Sequence, residues 1–329
     1  MGDTEVGFAV AFVVTILVAL AGNSLLIYIV WKKPETRTLT SFMFVNMAVA
    51  DLLTTLLQMP ITISFFLEAH WIPGLAGKIT CKCFYYAAFT SITASILCLT
   101  IIAVDRFFVV IYPFQNIGWF RKAQIVSPII WIVSLALMAV SVTVITLDEK
   151  ITMCSYHFDE AILSERSFWI LFFVVNYLIP LIIMSVLYGA IVCKLWSYKV
   201  PASNEEGRHS QEEHQRKKQL VRMLVIVVAV FALCWLPVNV YQLERGFKGD
   251  TSFSNFGRNI SFLLSQGNSA INPWLYIGLN RKFRQIAFSC AMENHNSRRE
   301  KRREEIMLQR KAMQREAERE DSDSFEDKL

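Results

Sequence analysis

Seven uncharged stretches, at 6–31, 41–67, 83–104, 123–147, 167–193, 223–243 and 259–280, leave this chain few ways to fold. Asp51 is the single formal charge inside them. A helix crosses a hydrocarbon layer about 30 Å thick with roughly 20 apolar residues, and every stretch reaches that length. Composition agrees, because 54% of the 329 residues are hydrophobic and 19% charged, against roughly 45–50% and about 25% in a soluble domain. The expected fold class is an all-α membrane protein, a bundle of seven transmembrane helices.

Basic residues in the short connections set the expected orientation, since Lys and Arg stay on the cytoplasmic side. Lys32, Lys33 and Arg37 follow the first span, Arg121 and Lys122 the third, and Lys194, Lys199, Arg216, Lys217 and Lys218 the fifth. Arg281, Lys282 and Arg284 follow the seventh. These faces are read as cytoplasmic, which places the N-terminus outside and the C-terminus inside. The net charge of +5 then reflects topology rather than nucleic-acid binding. No cleavable leader is expected, because the first residues lack a basic start and the first apolar run is too long for a signal core. The remainder comprises short loops, a third inner loop near 201–215, and a tail over 291–329. Within that tail, 297–321 alternates basic and acidic residues and reads as a solvated segment.

A carboxylate at mid-membrane costs about 2.5–3.5 kcal/mol on insertion scales, so Asp51 is a functional candidate that needs polar neighbours. Gly22 with Asn23, Asn46, Ser95, Asn268, Ser269 and Asn272 are the polar positions expected to converge on it. Each span also contributes a recognisable set, in order. These are Asn23, Ala50 with Asp51, Asp105 with Arg106, Trp131, Pro180, Cys234-Trp235-Leu236-Pro237, and Asn272-Pro273-Trp274-Leu275-Tyr276. In these residues the chain, from Gly22 to Cys290, resembles the rhodopsin-like G-protein-coupled receptors, in their neuropeptide-receptor branch.

The resemblance implies roles for particular residues. Asp51, Ser95, Asn268, Ser269 and Asn272 would hold a sodium ion, their oxygens suiting a hard cation; no other cofactor is implied. Arg106 would pair with Asp105 at rest and, once released, meet a heterotrimeric G protein, with Tyr188 and Tyr276 closing around it. Arrestin would be a second inner partner. Two departures stand out: Phe107 replaces the family's Tyr after the Arg, and Lys217 stands where many relatives carry an acid that latches the sixth helix. A weaker resting lock and higher basal signalling follow, since a few kcal/mol separates such states. Pro237 removes a backbone hydrogen bond and gives the sixth helix a hinge beside Trp235. Ile96, Pro180 and Phe231 match the connector between ligand pocket and hinge, and Pro113-Phe114 the loop that enters the G protein.

By the same resemblance Cys81 and Cys154 form a disulfide on the oxidising face. Cys83 is a rival partner, but Cys81 has the family's separation from Arg106. Cys98, Cys193 and Cys234 read as plain helix residues. Cys290 closes an amphipathic eighth helix at 281–290 on the inner leaflet and is a palmitoylation candidate. The receptor domain is thus expected to span 1–290.

Several activities are disfavoured. The seventh span has no Lys for a retinal Schiff base, Gln266 standing in that place, and Ala88 replaces the Asp that amine ligands require. A transporter or proton pump would need more intramembrane titratable groups than Asp51, and the five histidines lie outside the spans. Motifs such as HExxH, GxSxG or a phosphate loop are absent from the sequence, so it is not read as an enzyme. Stretches rich in β-formers flank Asp148-Glu149-Lys150, so 143–158 is expected to form a β-hairpin over the pocket mouth. Glu68, Gln242, Glu244 and 71–74 would leave an open polar vestibule. The ligand is expected to be a neuropeptide with a cationic or amidated end read by Glu68 and Glu244; the alternative is a small non-amine ligand such as a lipid. A multi-pass protein of the plasma membrane is the expected setting.

Overall fold

The computed structural model describes residues 3–32, 38–67, 69–113, 122–148, 152–160, 162–197, 205–249, 251–280 and 283–289, with 292, 299–300, 302–303 and 307 further on. Glu68, Phe114, Arg281, Lys282 and Cys290 lie outside the described residues. The helices are α1 (Asp3–Lys32), α2 (Leu39–Phe66), α3 (Gly74–Ile111), α4 (Ala123–Met138), α5 (Ser141–Val144), α6 (Glu165–Phe173), α7 (Ile179–Ser197), α8 (Glu205–Lys248) and α9 (Asn255–Leu279). Strands β1 (Ile145–Asp148) and β2 (Met153–Tyr156) stand between α5 and α6.

Six of the described helical runs are long and apolar enough to cross a membrane. The seventh, α9, has 25 residues, about 37 Å at 1.5 Å per residue, which is also sufficient. Its low apolarity has a clear cause: Ser261, Ser265, Gln266, Asn268, Ser269 and Asn272 all turn inward and are buried. Polar residues are sheltered there, while leucines and valines of other helices point outward. Leu17, Ile132, Val186 and Leu233 are each more than 60% exposed, an outer surface suited to hydrocarbon rather than water.

Local chemistry explains several boundaries. Thr38, Ser164 and Ser254 cap α2, α6 and α9, accepting hydrogen bonds from the backbone N–H of Ser41, Ser167 and Gly257, as N-cap hydroxyls do. Pro180 has no N–H to offer the carbonyl of Asn176, and the chain widens into a π turn over Val174–Leu178 that joins α6 to α7. The third inner loop expected near 201–215 is largely replaced by helix, because α8 begins at Glu205. Its Glu, Gln, Lys and Arg residues are good helix formers, and a search for uncharged windows passes over them. The fourth span is shorter than expected: α4 ends at Met138, and Ile145–Leu147 belong to β1.

The hairpin pairs β1 and β2 antiparallel with Leu147 opposite Cys154, as expected for 143–158. Cys154 is bridged to Cys81 near the start of α3, with Cα atoms 5.8 Å apart, and Cys83 is free and exposed. The Trp71 N–H donates to the Thr152 carbonyl at 2.6 Å, and its indole N–H to Thr80 at 3.0 Å. The α2–α3 connection is thereby tied to the hairpin.

Gly22 shows how close the helices come. A Cβ there would lie 2.7 Å from Pro273 Cγ and 2.7 Å from Trp274 Nε1 on α9, both parts of rigid rings. Gly22→Ala is therefore expected to cost about 1–3 kcal/mol through overpacking. A lowered melting temperature of the solubilised protein would register it, and an unchanged one would contradict this packing.

The compact helical unit ends at Asn280, and 281–329 forms a second unit. Within the second unit a helical turn covers 283–289, inside the expected eighth helix.

Candidate functional sites within the bundle

At mid-bundle the Asp51 carboxylate is only 1% exposed. Its Oδ1 accepts hydrogen bonds from Ser95 at 2.9 Å and Ser269 at 3.0 Å, and its Oδ2 from Asn272 Nδ2 at 3.1 Å. Ser269 and Asn272 lie three residues apart and so share one face of α9. One carboxylate thus fastens α2 to both α3 and α9, each charge-assisted bond being worth roughly 1.5–3 kcal/mol. Asn23 adds a further link. Pro273 deprives the Ser269 carbonyl of its helical donor, and Asn23 Nδ2 supplies one at 3.1 Å. Asn46 does not join this cluster: its amide donates to Ser127 at 2.7 Å and its oxygen accepts from Trp131 at 3.3 Å, so it faces α4. Side-chain oxygens of Asn268 and Asn272 are buried without a hydrogen-bond partner. Together with Asp51 they are donors that fit a hard cation.

Pro237 lies inside α8 and Pro180 at the start of α7. Phe231 is fully buried and Ile96 is 3% exposed, Pro180 is buried in α7, and the rings of Phe231 and Trp235 are 6.4 Å apart. The Tyr177 hydroxyl donates to the Ala232 carbonyl at 2.9 Å, next to the bond that Pro237 removes, and Asn239 Nδ2 donates to the Trp235 carbonyl at 2.8 Å. Thr93 donates to Asn176 Oδ1 at 2.8 Å, fixing the π turn to α3. Sequence reading missed Tyr177, Asn239, Thr93 and Asn176. Proximity to Pro180 and Pro237 was the available signal for Tyr177, Asn176 and Asn239; Thr93, on α3, had none.

At the end of the bundle opposite the hairpin, the Arg106 guanidinium donates to Asp105 Oδ2 at 2.7 Å and to the Thr40 hydroxyl. Thr40 itself donates to Asp105 at 3.0 Å, so the three side chains close a ring between α2 and α3. Arg106 Nε is buried without a partner. Tyr188 is 5% exposed and Tyr276 2%, Tyr276 stacking on Phe44 at 3.7 Å. Pro113, just beyond α3, is exposed.

At the hairpin end a cavity of about 250 Å³ opens between the helices. Gln58 and Thr62 of α2, Tyr85 of α3, Tyr156 of β2, and Gln242 and Arg245 of α8 are among its walls, with Arg258 and Asn259 of α9. Tyr156 packs edge-on against Tyr85 at 5.7 Å and Trp169 at 5.4 Å. Burial pushes its hydroxyl well above the ordinary tyrosine value, so it stays neutral. Of the expected ligand contacts, Gln242 lines the cavity. Gln266 lies behind it, donating to Thr62 at 2.9 Å, and Ala88 is buried within α3. Glu244 points elsewhere. It accepts from Lys248 at 2.7 Å and Ser252 at 2.9 Å in the turn between α8 and α9, and is not among the residues lining the cavity. The charges that do line the cavity are Arg245 and Arg258.

The sequence is similar to those of known proteins. The family described as "7 transmembrane receptor (rhodopsin family)" matches residues 22–276. The chain is 30% identical over 297 residues to the substance-K receptor of Mus musculus, covering 86% of this chain and 75% of that one. It is 31% identical over 286 residues to the allatostatin-A receptor of Bombyx mori, covering 84% and 76% of the two chains. With the bombesin receptor subtype-3 of Ovis aries the identity is 31% over 292 residues, covering 84% and 72%. With its bundle fastened at Asp51 and matched over most of its length by this family, the chain is a receptor rather than an enzyme and belongs to the rhodopsin family of seven-transmembrane receptors.

Proposed function

We propose that the chain is a plasma-membrane receptor for an extracellular peptide and that it activates a heterotrimeric G protein. The supporting observation is the cavity beneath the hairpin. At about 250 Å³ it falls below the roughly 300–1,000 Å³ that encloses a drug-sized ligand. Such a cavity takes the end of a longer molecule, whose remainder lies on the hairpin and loops. The similarity to receptors named for substance K, allatostatin A and bombesin supports a peptide. Basic connections at the Arg106 end support an extracellular N-terminus and an inner face open to the G protein, with arrestin as a second partner on that face.

Ligand entry would displace side chains around Tyr85 and Trp235, α8 would pivot at Pro237, and the ring of Arg106, Asp105 and Thr40 would open. A signalling screen of cells expressing the chain, with peptide and lipid libraries run in parallel, tests the reading. Peptide hits are expected; a response to lipids alone would move the assignment to the lipid alternative.

A sodium ion at Asp51, with Ser95, Asn268, Ser269 and Asn272, would favour the resting arrangement. Sodium is then expected to lower agonist affinity. Asp51→Asn is expected to remove that dependence, since it withdraws the only charge among these oxygen donors. Binding isotherms in sodium and in a bulky organic cation decide, and an unchanged sodium effect in the variant would rule the ion site out. For Cys290, palmitoylation near the inner leaflet is proposed on the amphipathic pattern of 282–290 alone.

A further inference from the structure

We infer that the peptide carries a carboxylate and that Arg258, assisted by Arg245, is the group that binds it; this rests on the peptide reading above. Among the described residues, the walls of the cavity include two guanidiniums and no acidic side chain. Their environments differ. Arg245 is partly neutralised, its Nε lying 3.0 Å from Glu165 Oε1, and Trp169 draws on the same oxygen at 3.3 Å. Arg258 faces the cavity with no carboxylate beside it among the described residues. Its Nε donates to Asn259 Oδ1 at 3.3 Å, and its guanidinium lies over the Phe65 ring at 5.6 Å.

Glu165, behind the wall, offsets part of the Arg245 charge, and Arg258 keeps the wall cationic among the described residues. A stacked guanidinium keeps its planar fork of donors presented to one side, the geometry that matches a carboxylate in two parallel hydrogen bonds. Aromatic residues on the same cavity walls, Tyr85, Tyr241 and Phe262, reduce the competition from water and make that charge count for more. Gln58 adds a complementary acceptor. Its Oε1 is buried without a partner on the same cavity, placed to receive a backbone N–H of the ligand. A cationic peptide end would meet like charge here, and Glu244, bound by Lys248 and Ser252, is not free to receive it. The carboxylate belongs either to a free C-terminus or to an Asp or Glu side chain.

Both sources are separable with synthetic peptides. Hits from the screen are remade in three forms: with a free C-terminal acid, with a C-terminal amide, and with each Asp or Glu changed to its amide. Each is titrated on the full-length receptor and on Arg258→Gln, with surface expression read from an N-terminal tag. One of the two neutral forms is expected to lose potency roughly 10- to 150-fold on the unaltered receptor, the loss of one charge-assisted hydrogen bond. Which form does so identifies the source. Arg258→Gln should cost the carboxylate peptide a similar factor and leave its neutral twin unmoved. Arg258→Lys, which keeps the charge and loses the fork, should fall between and covers the case in which the glutamine variant does not reach the surface. Active peptides whose neutral forms match the acids, on receptors that Arg258 substitution leaves unaffected, would overturn the proposal while the peptide reading stands. Silence of every peptide beside active lipids would remove both.

Discussion

Arg106→Ala is expected to abolish nucleotide exchange on the G protein while leaving peptide affinity nearly unchanged. Separation along α3 is the reason. Tyr85, on the cavity wall, and Arg106 lie 21 residues apart on one helix, about 32 Å at 1.5 Å per residue. A substitution at one end therefore leaves the contacts at the other intact, while removing the only guanidinium that the ring with Asp105 and Thr40 holds at rest. The companion variant Lys217→Glu is expected to lower basal signalling, because it places an acid on α8 where the resemblance to the family puts the latch for Arg106. Equal basal signalling in Lys217→Glu and the unaltered receptor would contradict a weakened lock. Retained exchange in Arg106→Ala would contradict the assignment of the inner face.

Nearly as large an effect is expected for Cys81→Ser, which should abolish peptide binding or surface expression. Cys154 lines the cavity with Ser155 and Tyr156, and the bridge to Cys81 is what fixes that strand over α3. It closes a loop with a sequence separation of 73, and a crosslink of that span contributes about 4 kcal/mol by restricting the unfolded chain. Cys83 provides the control. Being exposed and unbridged, it should tolerate serine with binding preserved. Peptide mapping without reduction that joined Cys83 to Cys154 would overturn the pairing.

Sequence legibility followed physical rules that differ along the chain. The spans were visible because a hydrocarbon surround demands about 20 uncharged residues, but their ends were not. The third uncharged stretch begins at 83, whereas α3 begins at Gly74 and includes Lys78 and Lys82, the Lys82 ammonium reaching the Val142 carbonyl at 3.1 Å. Length and charge alone cannot separate a membrane span from a helix that runs on into water, as α8 does towards Glu205. The Asp51 cluster was legible because a buried carboxylate requires donors, and few polar residues were available to supply them. Asn46 was assigned to it wrongly, since position within α2 does not reveal which face a side chain takes. Ligand contacts were least legible. The turn that engages Glu244 and the faces that bring Arg245 and Arg258 to one cavity are products of helix packing, and no local pattern encodes them.

The central claim, that peptide entering beneath the hairpin drives exchange at Arg106, is open to one direct measurement. The purified receptor, reconstituted in lipid with purified heterotrimeric G proteins of each class, is titrated with an active peptide from the screen while nucleotide exchange is followed. The account predicts saturable, peptide-dependent exchange with at least one class, absent from Arg106→Ala at the same peptide occupancy. Peptide binding that produces no exchange with any class, or exchange that persists undiminished in Arg106→Ala, would contradict it.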